Sequence, residues 1–179
     1  LLFGAGMDDT VEETVSYIRD YEVDTVVVEH GDRDHYAGVP GILDTVDVSV
    51  VVPERDAPEL ATVDVVPDRT LVDGDEFAGV RAIAVPGHTP GNMAFLYDDV
   101  LVAGDTVEGS DSIYADNGYW GGRLDVVERG YNSDEAAMRE NVRILLDYNF
   151  DVVLVTHGSN VLSGGYEAVE RLVTALRTR

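Results

Sequence analysis

Cysteine is absent from this 179-residue sequence, and so are lysine and glutamine. Without cysteine the chain can form neither a disulfide nor a thiolate metal site, so metal ligands would have to be imidazoles and carboxylates. The absence of cysteine also fits a cytoplasmic protein, which is the localisation that we expect. No segment approaches the roughly 18 consecutive apolar residues that span a bilayer, so we predict no membrane segment.

Basic residues are scarce, because 35 aspartates and glutamates stand against 12 arginines and give a net charge of −23. Nonspecific binding to duplex nucleic acid is disfavoured, since contacts to phosphates need basic clusters. The acidic residues are spread along the whole chain, which favours a salt-adapted, halophilic protein over a surface built for a cationic partner. We therefore expect a small-molecule substrate and no nucleic-acid or membrane partner, and the oligomeric state stays open.

The length suits one domain with a real core, and no linker or repeat interrupts the chain, so we predict a single domain over residues 1–179. Apolar runs predict buried strands, and a capping box at Thr10 and a cap at Ser133 predict two helix starts. Hairpin signals mixed with strand–helix units predict an α/β fold of mixed sheets covered by helices. We expect no signal peptide, and the strand-like opening leaves open whether N-terminal strands are missing.

All four histidines lie at or near the ends of predicted strands. His30, His88 and His157 each follow an apolar run, as does Asp105, and such strand ends are where layered α/β folds gather site residues. His35 shares the loop of His30, with Asp32 and Asp34 between them. A single loop histidine is usually satisfied by backbone, but four beside closely spaced carboxylates predict binding of Zn²⁺, Fe²⁺ or Mn²⁺.

The segments around these residues resemble four motifs of the metallo-β-lactamase superfamily. Residues 30–35 (His-Gly-Asp-Arg-Asp-His) are similar to its His-x-His-x-Asp-His signature, and residues 86–92 resemble its third metal motif in the glyoxalase II-like short form. Residues 103–106 resemble the bridging-aspartate motif, and residues 156–158 the last histidine motif. The order and separations match along the whole chain, which implies an αββα sandwich with the site along one edge of its two sheets.

The resemblance also implies a dinuclear site. Its ligands would form three sets: His30, Asp32 and His88 at a first metal, Asp34, His35 and His157 at a second, and Asp105 bridging both. A hydroxide between the metals would be the nucleophile, because metal binding lowers the pKa of water from 15.7 towards about 7. Asp34 would in addition manage the proton, which is the catalytic role that we assign to it. We favour zinc as the metal, with iron or manganese as alternatives.

Two positions depart from the family pattern. Asp32 stands where the family has its second histidine, and this added anion favours harder, oxygen-preferring metals such as Fe²⁺ or Mn²⁺. Flavodiiron proteins of the superfamily carry a glutamate at the matching position and bind two irons. Gly4 stands where the resemblance expects an aspartate, so residue 4 lacks the carboxylate that would support the site from that side.

The leading hypothesis is a metal-dependent hydrolase acting on an ester, thioester or related acyl bond. The alternatives are a non-haem iron redox enzyme (a persulfide dioxygenase or a flavodiiron-like protein), a metal-dependent nuclease, or a non-catalytic protein that has lost one metal. Four aromatic residues after Asp105 either line a substrate pocket or pack their own loop: Tyr114, Tyr119, Trp120 and Tyr131.

Overall fold

The computed structural model describes residues 1–116 and 122–177. The chain divides into two compact units, Leu1–Val72 and Asp73–Arg179. The single domain over residues 1–179 stays a prediction.

The first unit is a four-stranded sheet in the order β1-β2-β3-β4, and each neighbouring pair is parallel. Helices or helical turns join its strands, as parallel pairing requires. The strands are β1 (Leu2–Phe3), β2 (Thr25–Val27), β3 (Ser49–Pro53) and β4 (Arg69–Leu71), and the α-helices are α1 (Val11–Ile18), α2 (Arg33–Tyr36) and α3 (Val39–Leu43). Two 3₁₀ helices, Asp8–Thr10 and Ala57–Val63, complete this unit.

The core of the first unit forms around its central strands. Val26, Val27 and Val28 are all fully buried, as expected for a parallel strand covered on both faces. Ile42 from α3 and Leu60 belong to the same core. This packing fixes the end of β2, and the loop with His30 and His35 begins directly after it.

The second unit contains a five-stranded mixed sheet in the order β11-β8-β7-β6-β5 and a separate β9–β10 pair. The strands are β5 (Glu76–Phe77), β6 (Val80–Ala84), β7 (Met93–Tyr97), β8 (Val100–Val102), β9 (Glu108–Gly109), β10 (Leu124–Asp125) and β11 (Val152–Leu154). Its α-helices are α4 (Glu135–Asn141) and α5 (Gly165–Leu176), and its 3₁₀ helices are Gly104–Thr106 and Val142–Asp147. Leu172 of α5 and Leu101 of β8 lie in its core.

Strand directions bring three loops of the second unit to one edge. β6 and β8 are both antiparallel to β7, and β11 is parallel to β8. β6, β8 and β11 therefore run the same way, and their carboxyl ends meet at the same edge of the sheet. His88, Asp105 and His157 follow these three ends.

Thr10 lies at the N-cap position of α1, as predicted, but makes no capping hydrogen bond, and the prediction that Ser133 caps α4 is wrong. The Thr10 hydroxyl donates to the Met7 carbonyl instead of accepting from the first turn of α1. α4 begins after Asp134, whose carboxylate accepts from the Ala137 amide, while the Ser133 hydroxyl donates to the Gly87 carbonyl. In both cases a carbonyl outside the helix accepts the hydrogen bond from the hydroxyl. Within residues 1–116 and 122–177, no helix has the length and apolarity to cross a membrane.

Candidate metal centre

The loop after β2 carries four candidate ligands in the first unit. Asp32 has extended backbone, and α2 starts at the next residue, so that Asp34 and His35 lie on a helical turn. The His30 Nε2 atom lies 3.9 Å from Asp32 Oδ2, and the His35 Nε2 atom lies 3.9 Å from Asp34 Oδ2. The two imidazole rings are fully buried, whereas the side chains of Asp32 and Asp34 are 44% and 41% exposed. The unit thus pairs two buried rings with two accessible carboxylates.

Glu29 is a buried neighbour of His35 to which the sequence analysis gave no role. Its Oε2 atom lies 3.1 Å from His35 Nδ1, and both residues are buried. A carboxylate oxygen accepts hydrogen bonds, so this contact suits a proton on His35 Nδ1, with Nε2 directed towards Asp34. A glutamate directly after the buried run Val26-Val27-Val28 was the available signal, because a carboxylate is rarely buried without a partner.

Two further contacts hold the same loop. Asp56, which is buried, accepts a hydrogen bond of 2.8 Å from the Gly31 amide. A Cβ at position 31 would come within 2.9 Å of the Glu59 side chain, so only glycine fits there without displacement. The Ala5 amide donates to the His35 carbonyl at 2.8 Å. Backbone and carboxylate contacts therefore fix the ends of the ligand loop.

Three candidate ligands come together in the second unit. The Nε2 atoms of His88 and His157 each lie 3.6 Å from the same atom, Asp105 Oδ2. Asp105 sits in the turn Gly104–Thr106 directly after β8, and Gly104 takes a positive φ of 51° to start that turn. His88 and Asp105 are buried, and the side chain of His157 is 21% exposed.

Asn132 orients His88 in the same way that Glu29 orients His35. Its Nδ2 atom donates to the carbonyls of Val127 and Glu128 and to Glu135 Oε2, so its Oδ1 atom is the acceptor left for His88. The Oδ1 atom lies 3.2 Å from His88 Nδ1. His88 Nδ1 therefore carries the proton, and Nε2 faces Asp105. The sequence analysis missed Asn132, which lies 44 residues away along the chain.

Asn92, in the segment that resembles the third metal motif, ties two ligand loops together. Its Nδ2 atom donates to the Val85 carbonyl at 3.0 Å and to the Thr106 hydroxyl at 2.8 Å. Val85 precedes the His88 turn and Thr106 follows Asp105, so this buried amide couples the two loops. Gly87 allows α4 to pack closely against the His88 turn, since a Cβ at position 87 would come within 2.3 Å of the Met138 backbone.

The donor geometry fits a metal ion. The four pairs of a histidine Nε2 and a carboxylate oxygen are 3.6 to 3.9 Å apart, too far for hydrogen bonds. Two ligands of one tetrahedral ion with bonds of about 2.1 Å stand about 3.4 Å apart. Neutral imidazole and carboxylate are also the donors that zinc, iron and manganese accept. Both units therefore hold histidine and aspartate groups that could bind metal, and the exact division into two three-ligand sites stays a prediction.

Glu108 is an additional buried carboxyl group in the second unit. It is fully buried, and neither of its oxygens makes a hydrogen bond to any residue in the described ranges. Burial raises the pKa of Glu108 to about 7, and the nearby Ser112 hydroxyl, short of hydrogen-bond geometry, lowers it in part. Asp105 raises this pKa further, while His157 and His88 lower it. The sequence analysis gave Glu108 no role.

One of the aromatic residues after Asp105 contacts a candidate ligand. The Tyr114 ring meets the His157 ring edge-on with centroids 4.9 Å apart, and it meets Tyr131 at 5.8 Å. Tyr119 and Trp120 lie outside the described residues. Whether these aromatic residues line a substrate pocket stays a prediction.

Comparisons with known proteins extend over both units. The family model described as the metallo-beta-lactamase superfamily matches residues 1–157. Hydroxyacylglutathione hydrolase of Shewanella denitrificans is 34% identical over 84 residues, which is 46% of this chain and 33% of that protein. The same enzyme of Brucella ovis is 30% identical over 95 residues, which is 50% of this chain and 35% of that protein. The chain thus spans about a third of the length of these curated relatives.

Solved structures of low sequence identity share the fold. A metallo-beta-lactamase from Pontibacter korlensis superposes with a TM-score of 0.73 over 99% of this chain and 80% of that chain, at 19% identity. One from Erythrobacter litoralis gives a TM-score of 0.71 over 100% of this chain and 80% of that chain, at 18% identity. These matches confirm the predicted α/β fold of the metallo-β-lactamase type, and the family match covers well over half of the sequence. The chain belongs to the metallo-β-lactamase superfamily.

Proposed function

We propose that the protein is a dinuclear metal-dependent hydrolase that acts on an ester, thioester or related acyl bond. One observation in the second unit carries the proposal: a single oxygen of Asp105 lies 3.6 Å from the Nε2 atoms of both His88 and His157. A carboxylate that bridges two metals would lie close to the other ligands of both. The position of Asp105 between His88 and His157 supports that role.

The ligand assignment follows the family motifs. His30, Asp32 and His88 would hold one ion, Asp34, His35 and His157 the other, and Asp105 both. When bound, two such ions supply Lewis acidity and lower the pKa of water from 15.7 towards about 7. Zinc is the metal that we propose first, with iron or manganese as alternatives because of the extra carboxylate at Asp32.

The residues of this chain would orient the ligands and move protons. Glu29 and Asn132 keep the Nε2 atoms of His35 and His88 free of protons for ligation. Asp34, whose side chain is 41% exposed, is accessible to solvent and would accept the proton released during hydrolysis. A metal-binding histidine typically donates its other ring N–H to a carboxylate, a carbonyl or water, and this hydrogen bond orients the ring.

The preference for an acyl bond rests on the relatives. The proteins that match about half of this chain are hydroxyacylglutathione hydrolases, enzymes whose name describes hydrolysis of an acylated glutathione. The chain spans only about a third of their length, so the thiol part of the substrate is left open. A small-molecule acyl substrate is the class that we propose.

A panel assay in molar KCl tests this function. The panel contains acyl thioesters, lactones, a chromogenic β-lactam and a phosphodiester, each with Zn²⁺, Mn²⁺ or Fe²⁺. We expect turnover of an acyl substrate that is lost in Asp105→Asn and kept in Asp147→Asn, a matched change at an exposed aspartate. Turnover of the phosphodiester alone would contradict the proposal and favour the nuclease alternative.

A non-haem iron redox enzyme is the second candidate, and the position of Asp32 favours it. The Asp32 carboxylate faces His30 Nε2 at 3.9 Å, so the carboxylate that departs from the family pattern is placed beside a candidate ligand. Oxygen consumption by the iron-loaded protein with a persulfide, without hydrolysis of any acyl substrate, would support this candidate.

A further inference from the structure

We infer that Glu29 is a positioning residue, which fixes the tautomer of His35 and so presents its Nε2 atom for metal binding. The inference rests on the proposed function in so far as His35 is taken as a metal ligand. Glu29 lies outside the ligand set, and binding of the second metal would depend on it.

The hydrogen bond between the two residues is well shielded from water. His35 Nδ1 lies 3.1 Å from Glu29 Oε2, and the two side chains are 0% and 3% exposed. A hydrogen bond to a carboxylate is stronger in such surroundings than in water, and it leaves little freedom for the proton to move to Nε2. The preferred tautomer of His35 thus follows from its burial beside Glu29.

The other side of the His35 ring faces the candidate site. Its Nε2 atom lies 3.9 Å from Asp34 Oδ2, which is beyond hydrogen-bond distance. The His30 ring packs against the His35 ring with centroids 3.9 Å apart and an interplanar angle of 49°. This contact restrains ring rotation, so the division between a proton-bearing Nδ1 and a ligating Nε2 is maintained.

Gly4 lies directly beside the Glu29 carboxylate. A Cβ built on Gly4 would point at both carboxylate oxygens from 3.5 Å, and the Gly4 amide donates to the Val27 carbonyl at 2.9 Å. Position 4 is where the resemblance expects an aspartate. A carboxylate therefore does occupy this side of the ligand loop, but it comes from residue 29 rather than residue 4.

A purely structural ion pair is the competing explanation. A buried pair of this kind adds little net stability, and an apolar residue of similar volume often replaces it without loss. If the pair only supported the fold, Glu29→Leu would change at most the melting temperature and would leave the His35 tautomer and the metal affinity unchanged. The two explanations therefore differ in readouts other than stability.

The test compares the parent with Glu29→Leu, Glu29→Gln and the control Glu13→Gln, an exposed glutamate of the same unit. Nitrogen-15 NMR of the metal-free proteins at mildly alkaline pH reports the tautomer of His35. Competition with a chromophoric chelator reports the affinity for Zn²⁺. Circular dichroism checks the fold of each variant.

We expect the parent and Glu13→Gln to carry the His35 proton on Nδ1. In Glu29→Leu the proton should move largely to Nε2, and Zn²⁺ affinity should fall by about 10- to 100-fold. Glu29→Gln should lie between, because its amide oxygen still accepts a hydrogen bond from Nδ1. If Glu29→Leu does not fold, Glu29→Gln decides the outcome, with a partial tautomer shift supporting the inference.

A proton on Nε2 in the metal-free parent would overturn the inference, and so would unchanged tautomer and affinity in the folded Glu29 variants. Because the tautomer is measured in the metal-free protein, that result does not depend on whether the protein binds metal. A parent that shows the Nδ1–H tautomer but binds no metal would contradict the proposed function and leave the role of Glu29 towards His35 supported.

Discussion

His30 and His35 pack ring against ring, with centroids 3.9 Å apart. Both side chains are fully buried, so each ring forms part of the environment of the other. Removing either ring would leave a void beside its neighbour and alter its position. Loss of metal from such a variant would mix ligand deletion with repacking, and the histidines of the second unit are therefore better targets for deletion.

We predict that His88→Ala and His157→Ala each lose metal while the fold survives. Each change removes one neutral ligand, and the resemblance assigns the two histidines to different metals, so each should lose about one ion per chain. Elemental analysis of protein reconstituted with Zn²⁺ gives the metal content, and circular dichroism checks the fold. Tyr17→Ala, at an exposed position, serves as the control. Unchanged metal content in either histidine variant would mean that its ligand assignment is wrong.

The positions of three candidate ligands in the second unit could be predicted from the sequence because each follows an apolar run. His88, Asp105 and His157 lie just beyond β6, β8 and β11, as the runs of β-branched and apolar residues indicated. The residues that orient those ligands could not be found in this way. Asn132 is 44 residues from His88, and Asp56 is 25 residues from Gly31, so only the folded chain reveals these pairs.

Local capping patterns also proved insufficient. Thr10 and Ser133 have the side chains of good caps, but nearby carbonyls of Met7 and Gly87 take their hydroxyl protons. Ser133 in addition contacts the His88 turn through its amide, which donates to the His88 carbonyl at 2.8 Å. At Ser133 the contacts with the His88 turn thus override the local preference for capping, and tertiary contacts of this kind leave no trace in the local sequence.

Stability should rise with salt concentration. A net charge of −23 on 179 residues repels itself until ions screen it, and the Debye length falls from about 10 Å at 0.1 M to about 3 Å at 1 M. We expect the thermal midpoint to increase steadily from dilute buffer to molar KCl, with NaCl at equal ionic strength giving the same trend. A flat or falling midpoint would remove the salt-adaptation hypothesis and favour a cationic partner instead.

Glu108 should make the metal-free protein less stable as pH rises. Burial raises its pKa from 4.5 to about 7, so between these values the folded state keeps a proton that the unfolded state has lost. Where the folded state binds more protons, stability falls with increasing pH, and it levels off above the folded pKa. The loss is at most about 3.5 kcal/mol, since the pKa rises from 4.5 to about 7 and each pKa unit corresponds to about 1.4 kcal/mol.

The variant Glu108→Gln removes this titration and keeps the side-chain shape. We expect it to match the parent below pH 4.5 and to be the more stable protein above pH 7, in denaturant melts of the metal-free form. Glu170→Gln, at an exposed glutamate of α5, should behave like the parent at every pH. An equal difference between Glu108→Gln and the parent at both ends of the pH range would show that Glu108 does not titrate differently in the folded state.

Asp32 provides the last prediction, because it is the ligand position that departs most from the family. Its carboxylate lies 3.9 Å from His30 Nε2 with the side chain 44% exposed, a position open to two interpretations. As a metal ligand it contributes a negative charge, and as a solvated loop residue it contributes nothing to the site.

If Asp32 is a ligand, Asp32→His restores the family's usual set and leaves the metals more positive. Water bound there should then ionise at lower pH, so the activity profile should move to lower pH and Zn²⁺ should bind at least as well as in the parent. Asp32→Ala should weaken metal binding by at least about 10-fold, the lower end of the loss seen when partners of a metal site are removed. If Asp32 is only solvated, neither variant changes metal content or pH profile. Metal stoichiometry of Asp32→Ala and Asp32→His, measured beside the exposed control Asp147→Ala, decides between the two interpretations.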